Sequence, residues 1–268
     1  MFCNQCEQTA NCTGCVSSPG VCGKNEDVQS LQETLLYGVK GMCAYANHAR
    51  RLGKTDEAVN AFVEEALFST MTNVNFDVPS GLELVLECGK QNLRVMEMLD
   101  EGHVERFGAP SPAPVQEGTQ AGPGILISGH DMVDLDNLLK QCEGTDVKVY
   151  THGEMLPAHM YPKLREHPNL GGHYGGAWQK QRKEFAEFAG PALVTTNCVV
   201  LPKESYADRL FTTRVTAVPG ATRITNDDFS QVIAKAKECG PLPEAPGLQK
   251  AVGFHHSVIL NIADTIVE

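Results

Sequence analysis

Positively charged side chains are scarce in this chain, which has 22 Lys and Arg residues against 33 Asp and Glu residues and a formal net charge of −11. Proteins that bind nucleic acid or an anionic membrane surface meet the phosphate groups with clustered Lys and Arg side chains. Here the basic residues are scattered along the sequence. The charge balance therefore excludes nucleic acid and anionic membranes as partners.

Long apolar runs are also missing. The longest, such as the five residues 124–128, are much shorter than the roughly 20 residues of a membrane-spanning helix. The first eight residues, MFCNQCEQ, contain neither the basic segment nor the apolar segment of a secretory signal. We therefore predict a soluble, cytoplasmic protein, and a reducing cytosol disfavours a disulfide-bonded knot.

Cysteines, by contrast, are concentrated at one end of the chain. Five of the ten are Cys3, Cys6, Cys12, Cys15 and Cys22. Structural zinc sites usually have two short C-x-x-C or C-x-x-H pairs, whereas a single C-x-x-C pair followed by wider gaps is more usual for iron–sulfur ligation. The spacing therefore favours an iron–sulfur cluster loop at residues 1–24 and leaves zinc as the alternative.

Three amphipathic helices are predicted after this loop. Apolar residues recur every three or four positions from Val28 to Tyr45, and a second helix is expected at residues 55–69. Ser80 and Glu83 have the spacing of a capping box, which predicts the start of a third helix. Short connections indicate a three-helix bundle at residues 25–107. The predicted inner face of the third helix comprises Leu82, Val85, Leu86, Leu93, Met96 and Leu99.

The remaining sequence predicts an α/β domain. Residues 108–123 are rich in proline and glycine and are expected to form a linker that pairs in no central strand. Short β-branched runs then alternate with helical stretches through residues 124–268, which is typical of a doubly wound parallel sheet of the Rossmann-like class. The predicted strands are 124–128, 146–151, 192–196, 213–218 and 250–254.

Three side chains of metal-ligand type follow three of these runs. His130 comes shortly after the first strand, Glu154 after the second and Cys198 after the third. Because the carboxyl ends of parallel strands meet at one edge of a sheet, the three could share one metal centre. Each also has an ordinary structural interpretation: His130 and Glu154 near a helix start, and Cys198 in the core.

Several motifs together resemble the hybrid-cluster proteins, also called prismane proteins or hydroxylamine reductases. The resemblance extends over nearly the whole chain and is to a short form with one N-terminal helical bundle and without the C-terminal domain. The motifs are MFCNQCEQTA (1–10), CGK (22–24), STMTNVNFD (69–77), ILISGHD (125–131), VYTHGEMLPAH (149–159), GGAWQKQ from residue 175, TTNC (195–198) and AVGF (251–254).

The resemblance implies two iron–sulfur sites. Cys3, Cys6, Cys15 and Cys22 resemble the ligands of a [4Fe-4S] cluster, with a [2Fe-2S] cluster as the alternative and Cys12 as a non-ligand. His130, Glu154 and Cys198 resemble iron ligands of the hybrid Fe–S–O cluster. In the family a third domain completes that cluster, so we expect its further ligands to come from outside this sequence.

The same resemblance implies an oxidoreductase that reduces hydroxylamine to ammonia, nitric oxide, or both. Its partners would be the small nitrogen-oxide substrate, an electron-donor protein, and a second copy or a complementary C-terminal chain. His152 or His159 would donate protons, or His152 would orient Glu154. The alternative is a truncated or partner-dependent electron-transfer protein without its own catalytic cluster. A carbon monoxide dehydrogenase relative is the other rival, and the SGHD and THGEM motifs argue against it.

Overall fold

The computed structural model describes residues 1–7 and 13–268, so Cys12 lies outside the described residues. These residues divide into two compact units, Met1–Arg106 and Phe107–Glu268. No helix in the described part of the chain is both long enough and apolar enough to cross a membrane.

The first unit consists of the cysteine-rich loop and three helices, α1 (Glu26–Arg51), α2 (Glu57–Ser69) and α3 (Val78–Phe107). The Asn25 side chain accepts a hydrogen bond from the Val28 N–H and so caps α1, and Asp56 caps α2 in the same way. The helices enclose an apolar core formed by Leu35, Val39, Met42, Val59, Phe62, Ala66, Cys88 and Val95.

Helix α3 differs from the sequence prediction in its start and in its buried face. It begins at Val78, and the carboxylate that caps it belongs to Asp77, which accepts a hydrogen bond from the Ser80 N–H at 2.9 Å. The predicted Ser80–Glu83 capping box is therefore wrong. Cys88 and Val95 are buried in the bundle, whereas four predicted inner residues are exposed: Leu82, Leu86, Leu93 and Met96. Apolar residues lie on two faces of this helix, and the sequence did not distinguish them.

The second unit contains an eight-stranded sheet with the strand order β7-β6-β5-β2-β3-β4-β1-β8. Neighbouring strands are parallel except for the antiparallel pair β1 and β8. The strands are β1 (Ala113–Thr119), β2 (Gly124–Ser128), β3 (Lys148–His152), β4 (Leu170–His173), β5 (Ala192–Val194), β6 (Leu210–Thr213), β7 (Thr222–Ile224) and β8 (Ala245–Val252).

Helices lie between and after these strands. They are α4 (Met132–Gln141), α5 (Pro162–Arg165), α6 (Gln181–Glu187), α7 (Glu204–Ala207), α8 (Ser230–Cys239), α9 (His256–Asn261), α10 (Ala263–Val267) and two 3₁₀ helices, Gly153–Met160 and Trp178–Lys180. The alternation confirms the predicted α/β class. Leu126, Tyr150 and Val194 bring the central strands into one apolar core with α6 residues such as Phe185.

Two strand predictions are wrong. The proline-rich segment 108–123 is not only a linker, because β1 lies within it and pairs with β8 from Ala113 to Thr119. Pro114 is near the start of β1, where a missing backbone N–H is tolerated. The predicted strand at 213–218 is instead a turn after β6, in which Arg214 has a φ of 56°.

The strand order places a topological switch point in the middle of the sheet. From β2 the chain runs outward through β3 and β4 on one side, and later through β5, β6 and β7 on the other. Ser128 at the end of β2 is in register with His152 of β3 and Val194 of β5. The loops that leave β2, β3 and β5 therefore begin at one level, and crevices of this kind commonly bind ligands.

Candidate functional site

His130, Glu154 and Cys198 converge at this switch point. One ligand atom from each lies within 4.8 Å of the others, and no other group of three or more potential metal ligands is this close among the described residues. His130 follows β2, Glu154 follows β3 and Cys198 follows β5. The juxtaposition combines an imidazole, a carboxylate and a thiol, a donor set suited to a transition metal such as iron.

Thr196 positions the His130 ring through the ring nitrogen that faces away from Glu154. The Thr196 hydroxyl accepts a hydrogen bond from the His130 backbone N–H at 2.9 Å and lies 2.8 Å from the ring Nδ1. Gly129 makes this approach possible, because its φ is +114° and an added Cβ would lie 2.5 Å from Thr195 Oγ1 and 2.7 Å from Thr196 Oγ1. The opposite ring nitrogen, Nε2, is left facing the site and is hydrogen bonded to Glu154.

Glu154 is in the first turn of the 3₁₀ helix Gly153–Met160, directly beyond β3. Its side chain is 55 % exposed and that of His130 is 33 % exposed. Both side chains are therefore accessible to a metal ion and a small substrate at the surface of this unit. Their hydrogen bond holds the two donor atoms on the same side of the sheet edge.

Cys198 is held by contacts to its backbone, and its sulfur accepts a hydrogen bond from the Asn197 side-chain amide at 3.8 Å. It has a left-handed φ of 69°. The Gln181 amide donates to the Cys198 carbonyl, and the Gln181 side-chain oxygen accepts from the Val200 N–H at 3.2 Å. Burial raises the pKa of the Cys198 thiol, and the negative charge of Glu154 raises it further. A cation bound between these groups would reverse that effect and favour the thiolate.

His152 does not orient Glu154, contrary to one sequence hypothesis. Its Nδ1 lies 3.1 Å from the Ser128 hydroxyl and its Nε2 lies 2.9 Å from a Glu184 carboxylate oxygen, so both ring nitrogens are occupied. Burial lowers the pKa of His152 despite the opposing effect of Glu184. The buried imidazole is therefore neutral at pH 7 and holds the ends of β2 and β3 to α6.

His159 is also buried, and it lies beside a second histidine. The Thr151 hydroxyl is 2.9 Å from His159 Nε2 and 2.9 Å from His173 Nδ1. Burial lowers the pKa of His159 to about 4 and that of His173 to about 3, with neighbouring positive charges contributing to the latter. Neither ring is an imidazolium at pH 7, so His159 does not hold the extra proton that its predicted role as a proton donor requires.

The first unit contains the other predicted site. Cys3, Cys6, Cys15 and Cys22 line one cavity of about 280 Å³ at the start of the chain. Cys3 and Cys15 exchange two backbone hydrogen bonds, Cys3 N–H to Cys15 O at 3.0 Å and Cys15 N–H to Cys3 O at 2.7 Å. This bridge fixes two of the four thiols side by side, while the turns around them bring the other two to the same cavity.

The size and spacing of this cavity fit a cluster better than a single ion. Among the described residues, the four thiols do not form a group close enough to hold a single metal ion, unlike His130, Glu154 and Cys198. A tetrahedral zinc site places its sulfurs about 2.3 Å from one ion and closes around it. Thiols that surround an open volume suit a polynuclear iron–sulfur centre, in which each cysteine binds a different edge of the group.

Sequence reasoning missed the residues that position these ligands. Thr196 lies within the TTNC motif, Gln181 ends the GGAWQKQ motif and Lys24 ends the CGK motif, so each was visible in a motif without an assigned role. Glu184 gave no signal, because its contact with His152 depends on the packing of α6 against the sheet.

Comparison with known proteins assigns the chain to a protein family. The family model described as the Prismane/CO dehydrogenase family matches residues 1–83 and 79–267. The chain belongs to this family.

Among curated proteins, hydroxylamine reductases are similar over the whole chain. That of Moorella thermoacetica is 57 % identical over 268 residues, that of Thermotoga maritima 51 % over 269 and that of Methanothermobacter thermautotrophicus 47 % over 268. Each alignment covers 100 % of this chain and 62 % of the relative. The chain therefore spans less than two thirds of the length of these proteins.

Solved structures of carbon monoxide dehydrogenases share the fold. Carbon monoxide dehydrogenase IV from Carboxydothermus hydrogenoformans has a TM-score of 0.72 at 14 % identity, covering 97 % of this chain and 59 % of that one. The enzyme from Thermococcus sp. AM4 has a TM-score of 0.69 at 14 % identity, covering 98 % and 59 %. At this identity the likeness establishes the architecture and not the reaction.

Proposed function

We propose that this chain provides three iron ligands and an electron-entry cluster to an enzyme that reduces hydroxylamine to ammonia. The observation that carries the proposal is the convergence of His130, Glu154 and Cys198 at the switch point of the sheet. The hydroxylamine reductases that match the whole chain give the substrate class.

The donor set explains why an N–O substrate is suitable. Imidazole and carboxylate are harder donors than thiolate, so an iron held by all three can keep an exchangeable oxygen position. Hydrogen bonding of His130 Nδ1 to Thr196 would fix the ring so that Nε2 faces the metal. The reaction is NH2OH + 2 e⁻ + 2 H⁺ → NH3 + H2O. Bound iron would supply the site at which the N–O bond is cleaved.

The four-cysteine cavity of the first unit is the proposed entry point for electrons. Cys22 is exposed, so the loop that carries it reaches the surface of this unit. An electron-donor protein could dock there and transfer electrons to a [4Fe-4S] cluster held by Cys3, Cys6, Cys15 and Cys22. A [2Fe-2S] cluster with the same ligands is the alternative.

A second candidate is an electron-transfer protein without its own catalytic cluster. It is favoured by the ligand count, because three donors converge at the second site among the residues that the structure describes. We therefore expect the isolated 268-residue polypeptide to show little hydroxylamine turnover. A complementary chain or a second copy would be needed to complete the site. Nitric oxide is the competing substrate, since it is also a small nitrogen–oxygen compound that can bind to iron.

The test is anaerobic hydroxylamine reduction by the complete enzyme, with a reduced dye as donor. We expect Glu154→Gln and His130→Ala to lower kcat by at least about 100-fold, because each removes a metal ligand. His167→Ala is the matched control, since it removes an imidazole from another His–Glu pair of the same unit, His167 and Glu143 at 3.2 Å. Retention of wild-type turnover by Glu154→Gln would refute the proposal.

A further inference from the structure

Lys24 is a buried cation on the wall of the four-cysteine cavity. The residue is 5 % exposed and lines the cavity together with the four thiols. Its ammonium donates a hydrogen bond to the Gln32 side-chain oxygen of α1 at 2.9 Å. Within the described ranges 1–7 and 13–268 it has no salt bridge to a carboxylate. Glu7 also borders the cavity, but it is exposed and forms no ion pair with Lys24.

A lysine in this position is costly unless something negative lies beside it. Removing an ammonium group from water without a counter-charge costs several kcal/mol. A single neutral acceptor such as the Gln32 amide replaces only part of the lost hydration. The burial of Lys24 therefore indicates that the cavity holds negative charge when the protein works. Four cysteine thiolates around an iron–sulfur core have a net negative charge, and reduction by one electron adds to it.

Backbone hydrogen bonds hold Lys24 in the same turn as one of the four cysteines, Cys22. The Lys24 carbonyl accepts a hydrogen bond from the Gly20 N–H at 2.8 Å, and the Gly23 N–H donates to the Gly20 carbonyl at 2.9 Å. These two bonds close a turn that contains Cys22. Cys22 and Lys24, which both line the cavity, therefore belong to one closed turn.

We propose that Lys24 sets the reduction potential of the cluster held by Cys3, Cys6, Cys15 and Cys22. Its fixed positive charge stabilises the reduced cluster more than the oxidised one, because the reduced form has one more negative charge. Electrons from a donor of given potential therefore enter the cluster more readily. The inference rests on the proposed iron–sulfur site. It adds a tuning residue that does not itself bind iron.

The experiment is an anaerobic redox titration of the cluster, monitored by EPR and visible absorption, in three variants. Lys24→Gln removes the charge and keeps a side chain that can hydrogen bond to Gln32. Lys24→Arg keeps the charge. Lys54→Gln changes the net charge equally but at the far end of α1, a helix of 26 residues and therefore about 39 Å long. Lys54 there pairs with Glu101 and Glu105.

We expect Lys24→Gln to make the midpoint potential more negative, so that at a fixed donor potential the ratio of reduced to oxidised cluster falls about tenfold. Lys24→Arg should stay near wild type and Lys54→Gln should not shift. An unchanged potential in Lys24→Gln, or equal shifts in Lys24→Gln and Lys54→Gln, would overturn the proposal. Absence of iron from the wild-type protein would instead overturn the proposed cluster itself.

The thermal stability of the metal-free protein is the second readout. A lysine with a purely structural role would stabilise this form as well, whereas a lysine that interacts with the cluster would not. Without a cluster, removal of the unpaired buried charge should leave the thermal midpoint of Lys24→Gln equal to that of wild type or higher. A large loss of helix stability in the metal-free variant would overturn the proposal. If Lys24→Gln fails to assemble a cluster, retention in Lys24→Arg supports the charge requirement, and loss in both variants contradicts it.

Discussion

The His130 imidazole and the Glu154 carboxylate are hydrogen bonded to each other across the ends of two adjacent parallel strands. Each uses the atom that it would offer to a metal. A metal ion bound to both side chains would therefore replace the hydrogen bond between them. The pair lies next to Cys198, whose thiol must lose its proton to become a ligand.

Thr196 is expected to control metal affinity at this site through the His130 ring. Thr196→Val keeps the shape of the side chain and removes the hydroxyl that lies 2.8 Å from Nδ1. Loss of such an orienting contact typically weakens metal binding by about 10–100-fold. Anaerobic titration with Co²⁺, followed by its visible absorption, measures the change. Thr212→Val is the control, because the buried Thr212 hydroxyl has no hydrogen-bond partner in the described structure. Equal affinities in the two variants would refute this role.

Gly129 is expected to tolerate no side chain. In Gly129→Ala the new Cβ would meet both Thr195 Oγ1 and Thr196 Oγ1 at a φ of +114°, so the loop that carries His130 must shift. Gly144→Ala is the matched control for backbone strain alone, since Gly144 has a φ of +73° with no atom within 4 Å of a Cβ. We expect the control to lose about 1–2 kcal/mol of unfolding free energy in urea and Gly129→Ala to lose more, together with Co²⁺ binding. Equal losses would show that the contact with the threonines is unimportant.

Acid is expected to destabilise the second unit through its buried histidines. The folded-state pKa is about 4 for His159 and about 3 for His173, below the unfolded value of about 6.5. The unfolded chain therefore binds protons that the folded chain does not, so stability is complete above pH 6.5 and falls as pH decreases below it. The lowered pKa of each histidine should make the free energy of unfolding about 2 kcal/mol smaller at pH 5 than at pH 7.

Urea unfolding at pH 7 and pH 5 measures this loss. In His173→Gln, the free energy of unfolding should differ less between pH 7 and pH 5 than in wild type, by about 2 kcal/mol. A pH dependence that is identical in wild type and His173→Gln would contradict the assignment.

Cys6 and Cys12 are expected to differ in their importance for the N-terminal cluster. Cys6→Ser should abolish the cluster and loosen the adjoining helices, because ligation contributes folding free energy to a loop with few apolar residues. Cys12→Ser should leave iron content unchanged, although Cys12 lies outside the described residues. Iron and acid-labile sulfide analysis tests both variants. Equal iron loss in the two would show that the ligand set is assigned incorrectly.

The convergence of His130, Glu154 and Cys198 could be predicted from sequence because it follows from topology. Each residue comes shortly after a β-branched run, and parallel strands deliver their carboxyl ends to the same edge. The contacts that orient the three could not be predicted in this way. Gln181 reaches the Cys198 loop from α6, 17 positions earlier in the chain, and no periodicity or spacing encodes that approach.

Periodicity also failed where a segment satisfied two patterns at once. Helix α3 has apolar residues on two faces, so its sequence could not indicate that Val95 rather than Leu93 is buried. The run TRVTAV at 213–218 has β-branched residues throughout, yet Arg214 turns the chain and the next strand begins at Thr222. Residues 113–119, within the proline-rich segment 108–123, form a strand because β8 pairs with them from 126 to 139 residues later, a contact that local sequence does not reveal.

The most direct test of the iron–sulfur assignment is metal analysis of the wild-type protein purified without oxygen. Iron, acid-labile sulfide and zinc would be measured together with the visible absorption spectrum. We predict a brown protein with iron and sulfide bound through Cys3, Cys6, Cys15 and Cys22. Stoichiometric zinc without iron or sulfide would contradict the proposed cluster and, with it, the proposed route of electrons.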